Sequence, residues 1–259
     1  MANTCEICGV NLRKNKQRFC SEECKDLEAA GDGVPVGQYE HSIVKHKPLN
    51  QSTVAMLAGN ALLIDELTAV NVKLPFDKIK LDIHENCKRK RKEQIKQGIF
   101  EVFGINEEYF KDVLKQNIPN PLIAQILEKV AKHSIQTGIL LVGIDGGVAK
   151  ISEVNEQGYA DYRSVNFHAI GSGQLQAVNS LMFQKHSKTS DLRTALYNVY
   201  KAKRFAEVSV GVGKETELHV LSASGVKAIE SKDLKTLEEV YEKERSFGAE
   251  HADLRKLLR

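Results

Sequence analysis

The chain has 259 residues, of which 42% are hydrophobic and 27% charged, and its formal net charge is +3. This length suits one medium-sized domain with a small appendage, and the composition is typical of a soluble globular protein. No apolar run approaches the roughly 20 residues that a membrane-spanning helix needs, and the charge is too small to indicate a nucleic-acid partner by itself.

Four cysteines lie within the first 24 residues, in the pattern Cys-x2-Cys-x11-Cys-x3-Cys. They are Cys5, Cys8, Cys20 and Cys24. Two close pairs on a short loop are typical of structural zinc; Gly9 allows a tight turn after the first pair, and Ser21 can cap a helix that begins between the second pair. Four free thiols or two disulfides are the alternatives. Disulfides are disfavoured because no secretory signal precedes the cluster and the chain has only one further cysteine, Cys87. Cys87 is predicted to lie on a solvated helix and to have no role.

Residues 1–30 are therefore predicted to form a zinc-finger module that resembles a treble-clef finger, followed by a turn-rich joint at 31–37. From there to residue 132 the pattern predicts two short strands and then helices. The strands are 42–47 and 53–58, and the helices are 61–70, 76–103, one that starts after Asn106 and one that starts at Pro121.

Beyond residue 138 the hydrophobic period changes to that of strands, which arrive in meanders. The predicted strands are 139–144, 148–154, 159–165, 167–170 and 217–221 with 226–229, and the predicted helices are 173–186, 190–206 and 231–258. Two facing sheets, covered by helices on both outer sides, would satisfy this order. The prediction is an α+β domain over 31–230 with a C-terminal helix over 231–259.

Residues 31–222 resemble the proteasome β-subunit family, including the bacterial proteasome-like N-terminal-nucleophile hydrolases. The order and spacing of several segments carry the resemblance: 53–61, 141–147, the Phe-His-Ala-Ile-Gly-Ser-Gly run at 167–173, and 202–213. The resemblance implies a four-layer αββα sandwich and assembly of identical subunits into rings or helical stacks.

Members of this family use the hydroxyl or thiol of an N-terminal residue as nucleophile and its own amine as base. The resemblance implies that Asp32 and Lys45 would tune such a nucleophile and that Ser172 would support it. Each residue also has a simpler interpretation. Asp32 can fix a turn beside glycine, Lys45 can lie on an exposed strand, and Ser172 can shape the turn before a helix.

The start of the chain departs from the family. The mature N-terminus is expected at Ala2, which has no nucleophile, and the cysteine module stands where the nucleophile strand would be. Thr4 could serve only after trimming, and no Gly-Thr, Gly-Cys or Gly-Ser junction near the joint offers a processing site. The sequence therefore predicts a subunit that has lost peptidase activity and has an assembly or partner-binding role, with a protein partner for the finger as one option.

Two other functions stay open. One is a threonine-type peptidase or amidohydrolase activated by trimming. The other is a zinc-finger nucleic-acid-binding protein on a hydrolase scaffold, suggested by basic residues between the cysteine pairs but unsupported by aromatic residues there beyond Phe19. The basic run 88–92 points in every direction on a helix and is interpreted as solvated, with a contact to nucleic acid or to an acidic partner as the alternative. His168 is predicted to be a packed residue, no membrane contact is expected, and cysteine usage favours the cytoplasm.

Overall fold

The structure, a computed structural model, describes residues 45–116 and 120–250, with side chains up to residue 246. The predicted zinc-finger module with its ligands Cys5, Cys8, Cys20 and Cys24 lies outside the described residues, and so do Asp32 and the last nine residues of the predicted C-terminal helix.

A five-stranded antiparallel sheet forms the centre of the described chain, with its strands in sequence order. They are β1 (His46–Asn50), β2 (Thr53–Gly59), β3 (Thr137–Asp145), β4 (Val148–Val154) and β5 (Tyr159–Asp161). Gly146 and Gly147 close the β3–β4 hairpin with φ angles of 57° and 78°. A two-residue turn needs this left-handed backbone at both positions, which explains the glycine pair.

The helices and a second, two-stranded sheet account for the rest of the regular structure in the part of the chain that is described. The helices are α1 (Ile64–Leu67), α2 (Phe76–Ile95), α3 (Glu107–Lys115), α4 (Pro121–Lys132), α5 (Gln174–Phe183), α6 (Leu192–Ala206) and α7 (Ser231–Glu250). A 3-10 turn (Ala61–Leu63) precedes α1, a π-helical turn (Lys96–Phe100) extends α2, and the small sheet pairs β6 (His219–Ser222) with β7 (Gly225–Ala228). The α+β class is confirmed.

Helix α2 packs on one face of the five-stranded sheet, here called the α2 face. Buried side chains of the helix and of the strands share one hydrophobic cluster. The main members are Phe76, Ile79, Ile83 and Cys87 from the helix, and Ala55, Leu57, Ile139, Leu141 and Val154 from the strands. Alternation along each strand sends the next residues to the opposite, second face.

The prediction for Cys87 is wrong, because its side chain is 0% exposed. Cys87 follows Ile83 by four residues, so the helical period places it on the buried stripe despite the lysine beside it. Burial, with a smaller effect from Glu156, raises the pKa of the Cys87 thiol to about 12. This thiol is therefore a core residue and not a reactive one.

Helices α3 and α4 form a second small core with the end of α2. It contains Ile95, Ile99, Phe100, Phe110, Ile123 and Ile126. The Asn106 side chain accepts a hydrogen bond from Tyr109 N at 2.7 Å, and the Asn120 side chain accepts one from Leu122 N at 3.0 Å. These caps, with Pro121 in the first turn, confirm both predicted helix starts.

One predicted strand is wrong. Residues 166–170 form an irregular loop, and the preceding strand ends at Asp161 instead of 165. Asn166 has a φ angle of 62°, and its backbone N–H donates to Tyr162 O at 2.8 Å. This local turn takes the backbone out of the sheet, so the apolar pattern of 167–170 reflects packing and not strand pairing. No helix within the described ranges is both long and apolar enough to cross a membrane.

Candidate functional site

The second face of the sheet carries polar side chains that could do chemistry. The register aligns His46 with Met56, Met56 with Leu140, and Leu140 with Glu153. Residues directly opposite each other in antiparallel strands point to the same side. His46 and Glu153 therefore lie on the second face, at opposite sides of an apolar centre.

Glu153 is the centre of a small polar cluster with Tyr162 and His168. His168 Nε2 lies 2.8 Å from Glu153 Oε2, and the Tyr162 hydroxyl donates to the same oxygen at 3.2 Å. The two rings stack with centroids 3.6 Å apart. Burial, reinforced by Glu153, raises the pKa of Tyr162. The predicted packing of His168 is confirmed, since its side chain is 7% exposed.

This cluster resembles the base and orienting carboxylate of a catalytic triad, but it lacks the third member. Within residues 45–116 and 120–250, no Ser, Thr or Cys side chain hydrogen-bonds to His168. Activation of a nucleophile requires that contact. The cluster instead fixes the 162–168 loop against β4.

The Gly171-Ser172-Gly173 turn leads directly into α5 and rests on β2. A Cβ atom at Gly171 would lie 3.2 Å from Ala58 Cβ, and one at Gly173 would lie 2.6 Å from Ala206 Cβ. The turn is therefore pressed between the end of β2 and the end of α6. Ser172 itself is exposed.

Lys45 lies on the other side of the sheet from this turn. Leu57 N donates to Lys45 O at 2.7 Å, which continues the β1–β2 register by one residue. Leu57 belongs to the α2 face, so Lys45, exposed at the start of β1, shares that face. Ser172 belongs to the turn on Ala58, whose side chain is on the second face. The structure does not bring the two residues together, and their predicted partner Asp32 lies outside the described residues.

A second cluster, not predicted from the sequence, joins His46 to Glu217 and His219. His46 Nδ1 lies 3.1 Å from Glu217 Oε2, and the centroids of the His46 and His219 rings are 4.3 Å apart. One ligand atom of each residue lies within 4.8 Å of the others, so the group could hold a metal ion. Burial, and secondly His46, lowers the pKa of His219, which favours its neutral form at pH 7. No sequence spacing could signal this cluster, because tertiary folding brings β1 to β6.

An ion-pair network ties α2 to β4 and β5. Lys80 Nζ lies 2.8 and 2.9 Å from the Asp161 carboxylate oxygens, and Lys150 Nζ lies 2.9 Å from Asp77 Oδ2. The hydrogen bond from Lys150 lowers the pKa of Asp77. Burial alone would raise the pKa of Asp161, but the hydrogen bonds from Lys80 and Ser152 outweigh it and lower that pKa. Because each of these charges has a partner, the network stabilises the helix–sheet contact and offers no free group for catalysis.

The basic run 88–92 is largely engaged within the protein. Arg91 donates to Val130 O at 2.7 Å and to His133 O at 3.0 Å, which caps the end of α4. Lys88, Lys90 and Lys92 each lie beside a glutamate. The interpretation as a simple solvated helix is therefore incomplete, because Arg91 and the three lysines also make contacts within the protein.

Comparisons with known proteins add no family. No family model matches the chain, and no curated protein matches it. The assignment to the proteasome-like family consequently stays a prediction based on the segments quoted above.

Proposed function

We propose that the protein is a proteasome-like subunit that assembles with copies of itself, lacks peptidase activity and has a structural zinc finger in its first 30 residues. The observation that carries the loss of activity is the placement of Lys45 and Ser172 on opposite faces of the sheet. In the family, the corresponding residues would have to gather around one nucleophile.

The layer order of the described residues supports the family assignment. Helix α2 covers one face of the sheet. On the other face the ring of His46 in β1 lies beside that of His219 in β6, and the turn that begins α5 rests on β2. A four-layer αββα sandwich would extend this order, with β6 and β7 in the second sheet and α5 and α6 outside it.

A surface suited to self-association lies on α5. This helix contains no charged residue, and its exposed apolar side chains are Leu175, Met182 and Phe183. They occur at helical spacing, and Phe183 is 91% exposed. Large exposed apolar side chains in one stripe are typical of interaction sites. We assign a second copy of this chain as the occupant, because an uncharged helix can face its own copy across a two-fold axis without charge repulsion.

The first test is native mass spectrometry of the purified protein together with labelling by an electrophilic β-lactone probe. The proposal expects an oligomer, one zinc ion bound through cysteine thiolates and no covalent adduct. An adduct on a hydroxyl or thiol would overturn the loss of activity and revive the peptidase. A monomer at micromolar concentration would overturn the assembly role.

The α5 surface is tested by Phe183→Ser, with Val148→Ser as the control. Val148 is also exposed but lies in the β3–β4 hairpin, away from α5. Truncating a buried aromatic residue at the centre of an interface costs about 2 kcal/mol or more of binding free energy. This loss raises the dissociation constant of the oligomer about 30-fold. Analytical ultracentrifugation should show that weakening for Phe183→Ser alone. Equal behaviour of the two variants would contradict the assignment of the surface.

A further inference from the structure

We propose that His46, Glu217 and His219 bind a divalent metal ion such as Zn²⁺, through ligands other than the four cysteines. The three residues come from the edge strand β1, the segment before β6, and β6 itself. Their ligand atoms all lie within 4.8 Å of one another. This site does not depend on the proposed function and would exist on the fold whichever activity the protein has.

The distances fit one ion after small side-chain movements. With bonds of about 2.0–2.1 Å, neighbouring ligands of a tetrahedral zinc ion are about 3.4 Å apart. His46 Nδ1 and Glu217 Oε2 are 3.1 Å apart, so this pair is already at that separation. The other two separations are at most 4.8 Å, so at most about 1.4 Å remains to be closed by rotation of the side chains. Glu217 is largely exposed, so its carboxylate can supply part of that movement.

Two of the three ligands are held in place by strand pairing. His46 pairs with Met56 in β1–β2, and His219 pairs with Ala228 in β6–β7. Ligands on regular strands need little reorganisation to bind, which favours affinity. Two imidazoles and one carboxylate are a donor set that suits zinc and its first-row neighbours. Such a set leaves a fourth position for water or for another ligand.

A simple ion pair between His46 and Glu217 is the alternative explanation. It leaves the third member unexplained, since His219 Nε2 is buried and has no hydrogen-bond partner among the described residues. A buried polar atom without a partner costs about 1–3 kcal/mol. Coordination would give the imidazole of His219 a partner, which the ion pair does not.

The experiment is a Co²⁺ titration of the metal-stripped full-length protein, followed by its absorption spectrum. Cobalt bound by thiolates shows intense sulfur-to-metal charge-transfer bands, whereas cobalt bound by two imidazoles and a carboxylate does not. The two kinds of site are thereby counted separately in one sample. The variants are His219→Ala and Glu217→Gln, with His84→Ala as the control at a histidine outside the cluster.

The proposal expects one Co²⁺ equivalent without thiolate bands in the wild type and in His84→Ala. His219→Ala should lose that equivalent. Changing groups that merely support a metal ligand costs about 10–100-fold in affinity, so Glu217→Gln, which removes a ligand while keeping its shape, should cost at least about tenfold. Two results would overturn the proposal. The wild type could bind no Co²⁺ other than that with thiolate bands, or Glu217→Gln could bind Co²⁺ at this site as tightly as the wild type. Circular dichroism of each variant distinguishes a loss of metal binding from a loss of folding. If His219→Ala unfolds, Glu217→Gln still tests the site, because Glu217 is largely exposed and its replacement should leave the fold intact.

Discussion

Of the two glycines in β3, Gly143 is the one against which α2 packs most closely. A Cβ atom at this position would lie 2.5 Å from Phe76 Cδ2, 2.9 Å from Phe76 Cε2 and 3.1 Å from Thr53 Oγ1. Separations under 3.0 Å cannot persist, so either the ring or the helix must move. Phe76 is almost fully buried and has little room to do so. Gly143→Ala should therefore destabilise the protein by about 1–3 kcal/mol, the usual cost of overpacking.

The same strand offers a matched control at Gly138. A Cβ atom there would meet only Glu153 Oε1, at 4.0 Å. Replacing a glycine in ordinary backbone with alanine reduces the entropy of the unfolded chain, and Gly138→Ala should be neutral or stabilising by up to about 1 kcal/mol. Urea unfolding followed by circular dichroism measures both variants, with the midpoints compared at equal slopes.

The contact itself can be isolated with a third change. Phe76→Leu removes the ring atoms that a Cβ at position 143 would meet. The double variant with Gly143→Ala should therefore lose less unfolding free energy than the two single variants lose together, by at least about 0.5 kcal/mol. Equal stability of Gly143→Ala and Gly138→Ala would refute the close packing of α2 on the sheet. A purely additive double variant would show that another neighbour, such as Thr53, causes the loss.

Two further outcomes follow from the charged contacts. Arg91→Ala should lower the free energy of unfolding by about 1–3 kcal/mol, because it removes two charge-assisted hydrogen bonds to carbonyls at the end of α4. The control Arg89→Ala, on the exposed side of α2, should change that free energy by less than about 0.5 kcal/mol. Equal losses for the two variants in urea unfolding would argue against a capping role for Arg91. The pKa of Asp161 is lowered in the folded state from its ordinary value of 3.8. The ionised carboxylate therefore contributes to folding stability above that value, and this contribution is lost as the pH falls through the folded pKa. Thermal unfolding between pH 5 and pH 2 should therefore show a smaller acid-induced loss for Asp161→Asn than for wild type, and identical pH profiles would contradict a role for the pair with Lys80.

Local patterns in the sequence predicted much of the fold correctly. Helix starts were predicted after Asn106 and at Pro121, and the structure shows that Asn106 and Asn120 cap these helices. The glycine pair at 146–147 marked the β3–β4 turn because the required backbone is local. The strand at 167–170 was predicted wrongly, since an apolar run looks the same whether it pairs in a sheet or packs in a loop. The cysteine pattern predicts zinc by spacing alone, and it lies outside the described residues.

By itself, the sequence determined what depends on neighbours within one or two turns: the α+β class, the antiparallel meander and the points where helices begin. Tertiary structure decided the rest, because register and packing join residues far apart in the chain. It placed Lys45 and Ser172 on opposite sides of one sheet and brought His46 to His219. A shift of one residue in strand pairing would exchange the two faces. The candidate sites of this protein are therefore properties of strand register, which no local motif encodes.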